Sequence, residues 1–196
     1  EATKQEYDLY KKSKSYTNFR EEDSESRFPE IVKNIALIYV QQEKVEEAIE
    51  AITDARAENP TDLGLLLTEA DLYIKLDDKE KFAELMKEAI QQDPNNPVLY
   101  FNLGVINSGQ GNSKVAREYY EKSLELDPKY KASYLNLVNL ILEGEKDLVD
   151  EMNSLGNSRA DNLRYDELLI QREALYREAI PYLEKSLEVD SKDIEV

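Results

Sequence analysis

Acidic pairs are the residues in this 196-residue chain best placed to do chemistry. Asp77-Asp78, and Asp147 with Asp150 and Glu151, bring carboxylates together as a hydrolase does when one acid gives a proton and another activates water. Neither set has a neighbouring nucleophile or a glycine-rich phosphate loop, and both fall in turns or on exposed faces. Cysteine and histidine are absent, which removes disulfides, Cys/His zinc sites and imidazole bases. The run Glu21 to Ser26 lacks the alternating ligands and glycine of a calcium loop and reads as a solvated linker. Lys11, Lys12 and Lys14, flanked by Tyr10 and Tyr16, have the make-up of a small nucleic-acid patch. With 25 Lys and Arg against 42 Asp and Glu, the net charge is −17, so they read as an exposed helix face. No nucleic-acid partner, metal, cofactor or catalysis is expected.

The elements carrying these residues are helices. Glycine and proline number only six each, too few for a turn-rich sandwich or barrel. No stretch is long and apolar enough to span a bilayer. The chain also repeats itself. Pro60, Pro94 and Pro128 stand 34 residues apart. Ala55, Ala89 and Ser123 keep that interval, as do Ala48, Phe82 and Ala116, and Ile52, Met86 and Tyr120. Upstream, Ala36, Ala70 and Gly104 recur in register, with Tyr39, Tyr73 and Asn107. Each unit reads as two helices about a short turn, such as Gln110-Gly111-Asn112, and Asp127-Pro128 stops the second helix.

The pattern resembles the tetratricopeptide repeat (TPR) family, a 34-residue helix–turn–helix unit. Unit 97–130 matches through Tyr100, Leu103-Gly104, Ala116, Tyr120, Ser123 and Pro128. Unit 29–62 matches through Val32, Ile35-Ala36, Tyr39, Ala48, Ile52, Ala55 and Pro60. Unit 63–96 carries Leu66, Ala70, Tyr73, Phe82, Met86, Ala89 and Pro94, but has Glu69 where the family has Leu. The resemblance implies an all-α, right-handed solenoid of stacked helix pairs with a concave inner face.

A fourth unit, 131–191, opens with Tyr134, Leu137-Val138 and Ile141. Its second-helix residues, Ala179, Leu183, Ser186 and Ser191, arrive 29 residues late. Leu148, Val149, Met152 and Leu155 continue one helical stripe, Gly156-Asn157 is a turn, and Ser158 or Asp161 caps the next helix. Residues 145–173 are therefore expected to lengthen both helices into a protruding hairpin, with a separate short helix 146–155 after a break at Gly144 as the alternative. Pro181 should bend the long second helix. Some bacterial TPR proteins are similar, which implies export or a periplasmic location by resemblance only. The sequence itself fixes no compartment. Residues 3–18 read as one helix of a preceding incomplete unit, within a 1–28 segment, and 192–196 as the start of an unfinished one. The natural protein is expected to be longer at one or both ends.

In TPR proteins the first helix of each unit lines the concavity. At 100° per residue, three rows fall off the packing stripe. They are Lys33, Leu67, Phe101 and Leu135; Leu37, Asp71, Val105 and Asn139; and Val40, Ile74, Ser108 and Leu142. Most are aliphatic or aromatic, which points to a binding surface with Phe101 as its central anchor. The Lys/Asn/Arg clamp with which some TPR proteins hold peptide carboxylates is matched only at Lys33. Leu37, Thr68, Val98 and Asn102 occupy its other positions. Asn102, Asn136 and Asn139 suit either a ligand backbone or helix–helix bonding. Of 13 tyrosines, five fall at packing positions, while Tyr165, Tyr176 and Tyr182 suggest a second surface on the hairpin. The expected function is a non-catalytic scaffold binding a basic and apolar peptide or helix. The second reading is a structural protein that self-associates through groove or hairpin.

Overall fold

The computed structural model describes residues 27–192. Nine α-helices follow one another along the described residues. Three pairs come first: α1 (Phe28–Gln41) with α2 (Val45–Glu58), α3 (Leu63–Lys75) with α4 (Lys79–Gln92), and α5 (Pro97–Gly109) with α6 (Ser113–Leu126). Then come α7 (Lys131–Leu142), α8 (Glu145–Ser154) and α9 (Arg159–Lys192). The fold is an all-α helical repeat. Segments 1–26 and 193–196, with the helix, linker and unfinished unit expected there, lie outside the described residues.

The turn inside each pair is built alike, 34 residues apart. Glu43, Asp77 and Gly111 all take a left-handed backbone, with φ of 61°, 58° and 76°. That residue lets the amide of the next one reach back, so Lys44 donates to Tyr39 O, Asp78 to Tyr73 O and Asn112 to Asn107 O, each at 2.9 Å. Between pairs, Asp62 and Asn96 cap the following helices through Leu65 N at 2.9 Å and Val98 N at 3.1 Å. The hydroxyls of Tyr100 and Tyr134 donate to the carbonyls of Pro94 and Pro128, each at 3.1 Å.

The core follows the repeat register. Ala48, Ile52 and Ala55 are buried with Val32 and Ala36, and Phe82, Met86 and Ala89 with Leu66, Ala70, Leu99 and Leu103. Ala116, Tyr120 and Leu137 form the next cluster. A Cβ on Gly104 would lie 2.5 Å from the Tyr120 ring, so the small residue is what lets α5 and α6 approach. The two ends of the stack differ from its middle. Leu103 and Leu137 are fully buried, but Ile35, two units before Leu103, is exposed. Tyr120 is 1% exposed, whereas Leu183 at the matching place on α9 is 38% exposed.

The hairpin departs from the expected continuous form. The first helix does not run on to 155; it stops at Leu142, Glu143-Gly144 breaks it, and α8 is separate. Gly144 in a helix interior would cost about 1 kcal/mol against Ala. The direction of α8 is instead set by side chains: Glu145 accepts from Arg172 Nε at 2.9 Å and from the Tyr176 hydroxyl, and Glu151 accepts from Arg164 at 2.7 and 3.1 Å. Met152 and Leu168 are the buried apolar side chains of this pair. Between the helices Ser158 and Asp161 cap reciprocally: Asp161 N donates to Ser158 Oγ at 3.1 Å and Ser158 N to Asp161 Oδ2 at 3.0 Å. α9 runs unbroken through Pro181. It rejoins the stack where Ala179 is buried with Val138 and Ile141.

Candidate binding groove

The rows of positions on the first helices stand apart from the packing stripe. Leu37, Asp71, Ile74, Val105, Leu135 and Asn139 are exposed; Lys33, Val40, Leu67, Phe101, Ser108 and Leu142 are half-buried; none is buried. Each helix thus buries one stripe and leaves this second, mainly apolar stripe open. Between α3 and α5 the surface deepens into a cavity of about 330 Å³ lined by Leu67, Asp71, Asn96, Val98, Leu99 and Asn102, with Met86 beneath.

Asp71 is the charge in that cavity. Although Asp71 stays exposed, its surroundings displace part of the water around the carboxyl and push its pKa above the ordinary carboxylate range, while Lys75 pulls it partly back. No ion pair engages it among the described residues. The other polar residues divide. Asn136 is used internally, donating to Ala132 O at 2.9 Å and facing the Tyr120 hydroxyl at 3.5 Å. Thr68 returns its hydroxyl to Gly64 O at 2.7 Å. Lys33 lies 3.5 Å from Asp62, so the residue matching the clamp already faces an acid of its own chain.

Phe101 holds a mixed position. Its ring packs 5.8 Å from Tyr120 and edge-on 5.2 Å from Tyr130, so part of its surface belongs to the core rather than to a free anchor. Tyr182 is a correction to the second surface. It packs with Tyr134, ring centroids 6.5 Å apart, among Val138, Ile141 and Ala179, because it lies on the inward side of α9. Tyr165 is exposed, and Tyr176 is half-buried against Glu145.

The carboxylates that first suggested chemistry are structural in part. Asp78 caps α4 through Lys81 N at 2.9 Å, Asp77 lies 3.4 Å from Lys79, and Glu151 holds Arg164. Sequence reasoning missed Arg56. It bonds Glu69, which is 4% exposed, and lies 2.6 Å from Glu88, while Thr53 adds a hydroxyl 3.4 Å from Glu69. These glutamates hold the Arg56 pKa up although burial opposes it. The misfit of Glu69 to the repeat pattern was the signal: a buried acid requires a cation nearby.

Two family models described as tetratricopeptide repeat match residues 39–100 and 98–130. The chain is a tetratricopeptide-repeat protein. Among curated TPR-like relatives, Tetratricopeptide repeat protein 12 of Homo sapiens is 37% identical over 83 residues, 40% of this chain and 12% of that protein. Protein O-mannosyl-transferase TMTC1 of Homo sapiens is 30% identical over 115 residues, 57% of this chain and 13% of that protein. The chain thus spans about an eighth of the curated relatives it matches. Among solved TPR-fold structures, MamA superposes with a TM-score of 0.54 at 16% identity, covering 86% of this chain and 95% of that one. The first TPR of Spaghetti (RPAP3), bound to the HSP90 peptide SRMEEVD, gives 0.52 at 22% identity, covering 59% and 92%. These likenesses support the TPR fold. No helix among the described residues of this TPR chain is long and apolar enough to cross a membrane.

Proposed function

We propose that this chain is a non-catalytic scaffold that binds an extended peptide or helix along the first helices of its repeats. One observation carries the reading: an open apolar stripe runs beside a buried one on α1, α3, α5 and α7. The ligand that suits it has apolar residues flanked by Lys or Arg. Asp71 supplies a carboxylate that makes no ion pair in the α3–α5 cavity, with Lys75 one helical turn away, and the whole chain carries −17. A peptide ending in acidic residues suits it poorly, because the clamp is absent and Lys33 faces Asp62.

A peptide array followed by calorimetry tests this. Val105→Asp and Leu135→Asp, on exposed positions, should each weaken a selected basic-apolar peptide tenfold or more, and Asp71→Asn should flatten the dependence of affinity on salt. Phe101→Ala should also weaken it, less cleanly, because its ring supports Tyr120 and Tyr130. Affinity untouched by all three polar substitutions would end the proposal.

A further inference from the structure

The outer face of α9 carries an apolar stripe. Tyr165, Leu169, Tyr176, Ile180, Leu183 and Leu187 fall within about 60° of one another at 100° per residue. All but the half-buried Tyr176 are exposed, Leu187 to 66%. The stripe runs about 33 Å, whereas a helix of repeat length would cover about 20 Å of it. Its spacing also reads the same from both ends. Tyr165 and Leu187 stand equally far from Tyr176, as do Leu169 and Leu183, and Arg172 and Ile180.

We infer that α9 is a self-association face, its occupant the α9 of a second copy, laid antiparallel about a two-fold axis at Tyr176. In that arrangement Tyr165 of each copy meets Leu187 of the other, Leu169 meets Leu183, and the two Tyr176 rings meet at the axis. Leu169, Arg172, Glu173 and Tyr176 surround a hollow of about 240 Å³. These four residues have the i, i+3, i+4, i+7 spacing of a hole that takes one knob from a facing helix, and the register puts Ile180 of the other copy there. Glu173 of each copy falls beside Arg177 of the other. Asp166 falls beside Glu184, a like-charge pair at each end that weakens the association. The strip offers about 500 Å² per copy, at the low end for a specific interface, which suits a weak, reversible dimer.

Sedimentation of the full chain from about 1 to 200 µM tests this. The wild type should pass from monomer to dimer. Leu169→Glu and Leu183→Lys should each remain monomeric with unchanged helical circular dichroism, and mixing the two should restore a dimer, because position 169 faces 183. Leu187→Glu, at the most solvent-exposed end of the stripe, provides a second disruption that spares the centre. A wild type that stays monomeric, a dimer that survives Leu169→Glu and Leu187→Glu, or a mixture that fails to re-form one would each overturn the inference.

Discussion

The repeat stack and the α8–α9 hairpin are both pairs of helices, but different forces hold them. In the middle of the stack, register residues such as Ala70, Met86, Leu103, Ala116 and Tyr120 meet a neighbouring helix and are buried. In the hairpin, Met152 and Leu168 are buried, and the side-chain hydrogen bonds between its helices run from guanidinium or phenol to carboxylate near the surface. Burial of apolar area is insensitive to salt and to acid, whereas exposed ion pairs contribute little and are screened. The comparison teaches that periodicity guarantees helices in both places but cooperativity only in the first.

The sharpest way to break the contrast is in the stack. Tyr120→Ala opens a cavity beside Gly104 and should cost about 4 kcal/mol, read as a fall in the urea midpoint. Next, Arg56→Ala leaves Glu69 buried without its cation and should cost about 3 kcal/mol; Arg56→Met with Glu69→Leu should recover most of it. Recovery would show that the stack tolerates charge only as a matched pair.

The third effect is confined to the hairpin. Glu145 and Glu151 have pKa values held below the ordinary carboxylate range by Tyr176 and Arg172 and by Arg164, and Asp161 by Ser158. A depressed folded pKa stabilises the fold above the unfolded value and loses that contribution as pH falls. Protection of residues 145–170 against hydrogen exchange, taken relative to the intrinsic rate at each pH, should therefore fall below about pH 4 while α3–α6 stay protected. Asp71 has the opposite sign: its raised pKa means that ionisation disfavours the folded state, so its share of stability increases on acidification. Equal protection of both regions at pH 3 would erase the distinction. The smallest effect runs the other way. Glu43→Gly relieves a left-handed backbone and should raise stability by about 0.5 kcal/mol, seen as a small rise in Tm.

The stack was legible because its signal is redundant: prolines, small residues and aromatics repeat in one register. The break at Gly144 was legible only as an alternative, because Leu148 and Met152 continue the helical period across it. What decides the break is Glu145 and Glu151 meeting Arg172 and Arg164 from α9, contacts that local period does not encode. The open stripe on the first helices followed from helical angle. The partial loss of Phe101 to Tyr120 and Tyr130 did not, because Tyr130 lies in a turn outside any stripe. Tyr182 was misplaced for a related reason. Counting tyrosines on a helix ignores which way its axis faces, and Ala179 and Ser186 had already marked the inward side.

The phenol-to-proline bonds of Tyr100 and Tyr134 latch the joints that precede units 97–130 and 131–191. At the joint between units 29–62 and 63–96 the matching residue is Leu66, which has no hydroxyl, and the carbonyl of Pro60 takes the Gln92 amide at 3.3 Å instead. Stiffness should therefore grade along the rod. Under tension the joint at Pro60 would yield first, and the later units would lengthen last.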